Sequence, residues 1–237
     1  MATDGDAALT FYVNGLFNPK EEIDWPTLRD SLEEGFDCPA IHFHNPTMAI
    51  SHGAVVDAVK KNSGLAALAS VFAVGAVLVD TMLDTGVTPR VIASAMDQVQ
   101  GVLQEKAEKV ARRLQGEIAK GLERAPHVRH VNLVGHSHGG WCAREFIQLG
   151  LAAELAEAHG VDFRVYVLGC PVLVKPGEGV SSLVQLHNAK DVLSLRYEPS
   201  VAAREPQVVV ASSETYHVMD KYLRWLRRYL SNASALT

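Results

Sequence analysis

Short apolar runs and longer amphipathic stretches alternate along the chain. Five of the apolar runs are bounded by turn residues and lie at 8–13, 40–43, 163–168, 183–187 and 207–210, and a sixth begins at Val128. Runs of this kind are typical of strands that are buried on both faces. Because helix-length segments separate most of them, the pattern predicts five or six parallel strands with intervening helices, which is an α/β fold.

Amphipathic segments predict the helices. The first begins at Pro26 and ends at Gly35, which follows the preference for proline at helix starts and glycine past helix ends. A long helix begins at Thr88-Pro89 and stops before Pro126, and its apolar residues recur near every 3.6 positions. Another follows the run that begins at Val128, and an amphipathic helix over 216–230 closes the chain.

Residues 1–237 are predicted to form one α/β domain, with a helical insertion at 47–87. Within the insertion, the 16 residues 64–79 carry no charge, but a bilayer-spanning helix needs about 20. A buried or lid helix is the favoured interpretation. Contact of this segment with an acyl chain or with lipid is the alternative, and the second case would be a peripheral membrane contact through 64–79. A true span is the least favoured.

Composition narrows the functional classes. Hydrophobic residues make up 48% of the chain and charged residues 21%, which is ordinary for a globular enzyme. The formal net charge of −5 argues against nucleic acid as a partner. Three widely spaced cysteines, Cys38, Cys142 and Cys170, predict reduced, buried thiols.

The N-terminal sequence lacks the basic-then-apolar pattern of a signal peptide. A cytoplasmic location is therefore the default expectation. Membrane association and secretion by a non-classical route remain alternatives.

The strongest chemical signal is Gly135-His136-Ser137-His138-Gly139, which follows a predicted strand and precedes a predicted helix. A serine on a sharp strand-to-helix turn projects its hydroxyl from the backbone, where a base can activate it. Positions two residues before and after the serine must be small to avoid neighbouring strands. Ser137 is therefore the predicted nucleophile.

A metal site is the competing interpretation of these histidines. His136 and His138, together with His42 and His44, supply four candidate ligands. HSHGG is also similar to the H-x-H-x-D-H motif of metallo-β-lactamase-like hydrolases. However, Gly139-Gly140 stands where that motif has Asp-His, so two of its ligands are absent. The prediction is that no metal is bound.

An acid and a base follow the serine in the chain. Asp191 comes just after the fifth predicted strand, where a carboxylate can reach a histidine beside the turn. Glu198 and Glu205 are weaker candidates, and Asp162 is excluded because it precedes its strand. His217 opens the last helix and is the predicted general base.

Acyl transfer also needs N–H donors for the developing oxyanion. One predicted donor is the backbone N–H of His138, directly after the nucleophile. The other is expected in the loop that leaves the first strand, Asn14-Gly15-Leu16-Phe17-Asn18. Gly15 permits a backbone geometry that aims an N–H inward. Leu16 is the candidate donor, with Phe17 next.

Taken together, these motifs resemble the α/β-hydrolase superfamily, and within it the lipase- and esterase-like branch. The resemblance rests on GHSHGG at 135–140, on NAKDVL around the acid at 188–193, and on the order Ser137, Asp191, His217. It implies an α/β-hydrolase-like, mainly parallel sheet flanked by helices and a Ser-His-Asp triad with no cofactor. It covers most of residues 8–230 outside 47–87. Asn14-Gly15 departs from the His-Gly that many members carry.

The leading functional hypothesis is a serine hydrolase that cleaves a carboxylic ester, with an acyl ester or a lipid as substrate. Thioesterase, peptidase and acyltransferase activities stay open, because the fold does not select the leaving group. A catalytically silent relative that binds a lipid or a protein partner is the alternative from another class. Oligomeric state is not predicted.

Overall fold

The computed structural model describes residues 7–15, 24–45, 89–188, 191, 194, 205–211 and 219–234. The strands in these ranges are β1 (Ala8–Val13), β2 (Ala40–Phe43), β3 (His130–His136), β4 (Asp162–Leu168), β5 (Val180–Asn188) and β6 (Val208–Ala211). The helices are α1 (Trp25–Phe36), α2 (Pro89–Arg124), α3 (His138–Gln148), α4 (Leu151–His159) and α5 (Met219–Ser234).

These strands form one six-stranded sheet in the order β2-β1-β3-β4-β5-β6, and every pair is parallel. The predicted α/β class and parallel pairing are confirmed. From β1 the chain adds β2 on one side and then crosses back to add β3 on the other side. In open parallel sheets, a crevice forms beyond the carboxyl ends of the two strands at such a switch point. The ends of β1 and β3 are therefore the place to look for a site.

Helices cover both faces of the sheet, which explains why the strands are apolar throughout. Along β1, Phe11 and Val13 face a core shared with α2, α3 and α4. Tyr12 faces the opposite core, shared with α1 and α5. Alternation along one strand thus feeds two separate cores.

Local capping sets the ends of α1. Asp24 caps the first turn by accepting from Thr27 N–H at 3.3 Å. The helix continues past the expected stop at Gly35 to Phe36, and Asp37 ends it in the left-handed conformation at φ 51°. Aspartate is among the few residues that tolerate this conformation, so glycine is not needed there.

Helix α2 has 36 residues, which corresponds to a length of about 54 Å. The predicted start at Pro89 and stop before Pro126 are confirmed. The inward-facing residues recur at helical spacing and are Leu103, Ala107, Val110, Ala111, Leu114, Ile118 and Leu122.

The predicted insertion at 47–87, with its apolar run 64–79, lies outside the described residues. Among the residues that are described, no helix combines the length and the apolar character that crossing a membrane requires.

The three cysteines are thiols, and two of them meet the expectation of burial. Cys142 and Cys170 are buried, and burial raises the pKa of Cys142 well above its usual value. The prediction was wrong for Cys38, which is only partly buried. It lies in the short loop before β2, where its sulfur is 3.1 Å from the Thr10 hydroxyl.

Candidate active site

Ser137 occupies the sharp turn between β3 and α3. Its backbone has φ 55° and ψ −121°, a conformation that residues other than glycine rarely adopt. Its N–H donates to Leu168 O of β4 at 2.8 Å, and its carbonyl accepts from Gly140 N–H at 3.0 Å. A backbone of this kind costs on the order of 1–3 kcal/mol and persists only where its surroundings enforce it. The predicted strand–turn–helix context of Ser137 is confirmed.

Both motif glycines are sterically required. A Cβ built on Gly139 would lie 2.1 Å from Val13 O, so the turn touches the neighbouring strand as expected. A Cβ on Gly135 would lie 2.6 Å from Gly139 O. That collision is with the start of α3 rather than with a neighbouring strand. The two glycines therefore allow the turn to fold onto itself and onto β1.

Gly15 brings the exit of β1 against the nucleophile. A Cβ on Gly15 would lie 2.9 Å from the Ser137 Cβ and 3.4 Å from its Oγ. The switch point of the sheet and the strained serine thus coincide. Leu16 and Phe17, the predicted oxyanion donors from this loop, lie outside the described residues.

His138 is the first residue of α3, and its ring lies in the core. Nε2 is 3.0 Å from Leu103 O of α2, and Nδ1 is 3.0 Å from the Asn45 side-chain nitrogen. Burial lowers the pKa of His138 to about 4, because the charged ring would lose its hydration. The ring is therefore neutral near pH 7, and both of its nitrogens face partners inside the protein.

The other histidines of the metal alternative are not gathered around His138. His42 Nε2 lies 3.1 Å from Asn14 Oδ1, and the rings of His42 and His44 meet edge to face at 5.9 Å. His136 is buried, with its ring 5.9 Å from that of Tyr222. Within the described part of the chain, no three His, Cys, Asp or Glu side chains are grouped in a way that could hold a metal ion.

Asp191 lies beyond the carboxyl end of β5, and it is buried. Its Oδ1 accepts from Ser194 N–H at 3.2 Å, and its Oδ2 accepts from the Tyr222 hydroxyl at 2.6 Å. Tyr222 comes from α5, and its ring contacts His136 at the end of β3. A buried carboxylate is thereby held near the strand that carries the nucleophile.

The remaining predicted acid–base residues fall in three places. His217 and Glu198 lie outside the described residues. Glu205, at the start of the turn into β6, accepts from the Gln207 side chain at 3.4 Å. Asp162 is the first residue of β4 and pairs with His130, the first residue of β3. Asp162 therefore lies at the amino ends of the strands, whereas Ser137 follows the carboxyl end of β3, as the position of Asp162 in the sequence implied.

Tyr222 and Asn45 were missed by the sequence reasoning. Tyr222 sits on the apolar face of an amphipathic helix, where a tyrosine usually signals only core packing. Asn45 precedes Pro46 and looks like an ordinary turn residue. Neither pattern carries a signal for the long-range hydrogen bonds that the fold creates.

The Tyr222 hydroxyl is expected to stabilise the fold measurably. Tyr222→Phe should lower the free energy of unfolding by about 1–3 kcal/mol, because a buried carboxylate loses a hydrogen-bond donor. Burial and the charge of Asp191 also raise the pKa of Tyr222, so the hydroxyl stays protonated as a donor. Urea unfolding at pH 7 measures the change. Tyr166→Phe is the control, since that buried ring keeps its contact with Phe36; an equal loss in both variants would contradict the assignment.

Acid should destabilise the protein through His138. In the unfolded chain the His138 ring becomes protonated near pH 6.5, but in the folded protein its pKa is about 4. Between these values the unfolded state binds more protons, so stability falls as the pH is lowered, by on the order of 3 kcal/mol in total. Above pH 6.5 this contribution is complete and constant.

Urea unfolding of the wild type and of His138→Gln between pH 7 and pH 4 checks this expectation. The variant should show the weaker dependence of stability on pH, by about one bound proton. His187 has a pKa lowered by burial in both proteins and therefore cancels from the comparison. Identical pH dependences would show that His138 does not titrate in this way.

Known proteins similar to this chain are few and distant. No protein-family model and no curated protein sequence matches the chain. Among solved structures, the crystal structure of a candidate hydrolase of the alpha/beta superfamily from Xanthomonas campestris pv. campestris resembles it. That match has 13% sequence identity and a TM-score of 0.43, and it covers 97% of this chain and 99% of the other. The functional case therefore rests on the residues of the site.

Proposed function

We propose that the protein is a serine hydrolase that cleaves carboxylic esters through an acyl-enzyme. The observation that carries the proposal is the strained, positive-φ backbone of Ser137 at the strand-to-helix turn, directly against Gly15 at the switch point of the sheet. A plain helix-capping serine has no need of this strain. Indeed, the Ser137 side chain makes no capping hydrogen bond to α3.

Each predicted residue has a role in this mechanism. Ser137 Oγ attacks the carbonyl carbon while His217 takes its proton, and His217 then protonates the departing alcohol. Water, activated by the same histidine, releases the acid. Asp191 orients His217, and its burial beyond β5 supports that role.

The negative charge on the tetrahedral intermediate needs preorganised donors. The backbone N–H of His138 is one, because it is at the N-terminus of α3, where free N–H groups and the helix dipole favour an anion. The backbone N–H of Leu16 is the proposed second donor. The position of Gly15 beside Ser137 supports this assignment, since Leu16 is the next residue.

The substrate is proposed to be an acyl ester of a lipid-like alcohol or acid. The support comes from the sequence alone, from the uncharged segment 64–79 in the insertion that follows β2. Hydrolysis of p-nitrophenyl esters from two to sixteen carbons would locate the chain-length optimum. A maximum at long chains indicates a lipase, and a maximum at two to four carbons indicates an esterase.

A fluorophosphonate probe tests the mechanism directly. It should label the wild-type protein at Ser137 and leave Ser137→Ala unlabelled, with ester hydrolysis following the same pattern. Absence of both labelling and hydrolysis in folded wild-type protein would favour a binding protein without catalysis. Labelling without hydrolysis of oxygen esters would point to a thioesterase or an acyltransferase.

A further inference from the structure

Asn45 lies just past the end of β2, and its side chain is buried. Its backbone N–H donates to Asn14 Oδ1 at 2.8 Å, and its side-chain Nδ2 donates to Asn14 O at 3.2 Å. Asn14 is the first residue after β1. Two hydrogen bonds from one residue therefore fix both the backbone and the side chain of Asn14.

This attachment sets the orientation of the Asn14 carboxamide. A backbone N–H can only donate, so the side-chain atom facing Asn45 N must be the oxygen. The Asn14 Nδ2 is then directed to Gly15 O, to which it donates at 2.9 Å. Gly15 is the residue whose Cα lies against Ser137. Through its backbone N–H and the Asn14 side chain, Asn45 therefore restrains the carbonyl of Gly15, beside the nucleophile.

The same Nδ2 of Asn45 also faces His138, with Nδ1 at 3.0 Å. An amide nitrogen can only donate, so Nδ1 accepts and the ring proton lies on Nε2, where it meets Leu103 O at 3.0 Å. The ring of His138 is therefore fixed at both nitrogens. Its own backbone N–H is the proposed donor that follows Ser137.

We propose that Asn45 is a positioning residue for the oxyanion hole, because its buried side-chain Nδ2 bonds both Asn14 O, at the exit of β1, and His138 Nδ1, at the start of α3. This inference rests on the proposed function and names no contact between Asn45 and substrate. Oxyanion donors are placed about 2.7–3.1 Å from the position that the developing charge will occupy, so their spacing matters. A residue that ties the β1 exit to the start of α3 controls the spacing between them.

Asn45→Ala is the sharpest test, since it removes the side-chain hydrogen bonds and keeps the backbone N–H that bonds Asn14. It should lower kcat for p-nitrophenyl butyrate by about 10- to 100-fold, somewhat less than deletion of an oxyanion donor, with KM changed less than about threefold. The inhibition constant of butylboronic acid, which forms a tetrahedral adduct on serine, should rise by the factor by which kcat/KM falls. Loss of general stability alone would not produce this pattern.

Asn132→Ala is the matched control. Asn132 is as buried as Asn45, at 2% exposure each, and it likewise bonds β1, through Thr10 at 3.2 Å. It lies five residues before Ser137 on β3, about 16 Å away. This variant should lose stability and keep kcat. Asn45→Ser, which retains a short hydroxyl donor, is the second test variant if alanine prevents folding, and its kcat should fall less.

The outcomes separate the two proposals. If folded wild-type protein neither reacts with a fluorophosphonate nor hydrolyses esters, the proposed function fails and this inference fails with it. If the wild type is active but Asn45→Ala or Asn45→Ser keeps its full kcat and boronate affinity, the inference alone is overturned. Equal losses of kcat in the Asn45 and Asn132 variants would also overturn it.

Discussion

Replacing Ser137 by alanine is expected to lower kcat for ester hydrolysis by about 10⁴-fold or more, with KM changed only a few-fold. Without Oγ no acyl-enzyme forms, and any residual rate comes from direct attack of water on a carbonyl whose developing oxyanion the N–H donors still stabilise. The substitution removes one atom from a half-buried side chain. The fold should therefore remain intact. Steady-state kinetics with p-nitrophenyl butyrate, together with circular dichroism, measure both.

Ser181→Ala supplies the control for that experiment. Ser181 lies near the start of β5, where its hydroxyl donates to Phe163 O at 3.3 Å, at the opposite edge of the sheet from Ser137. The kcat of the Ser181→Ala variant for p-nitrophenyl butyrate should match that of the wild type. Retention of more than about a tenth of the wild-type kcat in Ser137→Ala would place the chemistry at another residue.

Replacing Gly139 by alanine is expected to lower the free energy of unfolding by about 3 kcal/mol or more. The new Cβ would lie 2.1 Å from Val13 O and 2.8 Å from Asn14 O. Both are backbone atoms at the end of a paired strand, so neither can rotate out of the way. The corresponding fall in Tm is about 6–12 °C for a chain of this size, and activity should be lost as the turn moves away from β1.

Gly116→Ala is the matched substitution with the opposite expected sign. Gly116 lies on the exposed face of α2, and a Cβ there meets no atom within 4 Å. Alanine should stabilise this helix by about 0.5–1 kcal/mol. Thermal unfolding of the two variants side by side gives the comparison. Equal Tm values would show that the close approach between α3 and β1 relaxes without cost.

Much of the fold could be predicted from the pattern of apolar residues. Each described strand corresponds to a predicted run, because strands buried on both faces stand out as continuous apolar segments. Prolines located both ends of α2. The end of α1 was misplaced at Gly35, because Asp37 supplies the left-handed residue that glycine was expected to provide. Local chemistry offers several ways to stop a helix, and the sequence alone does not choose among them.

Only part of the candidate site could be predicted from the sequence. Ser137 was identified because the elbow is a local motif whose glycines have a steric cause. The bond from Tyr222 to Asp191 joins residues 31 apart, and that from Asn45 to His138 joins residues 93 apart. Contacts of this range exist only after the sheet has assembled. The roles of His217 and Leu16 stay predictions.

The backbone of Ser137 also bears on how such a chain would respond to selection. Glycine adopts a φ of 55° without penalty, whereas serine does not. A directed-evolution campaign scored only on heat resistance would thus favour glycine at position 137 and discard the hydroxyl. Under the proposed function, Ser137 both lowers the stability of the fold and supplies the nucleophile. Stability screens on this protein therefore need a simultaneous screen for turnover.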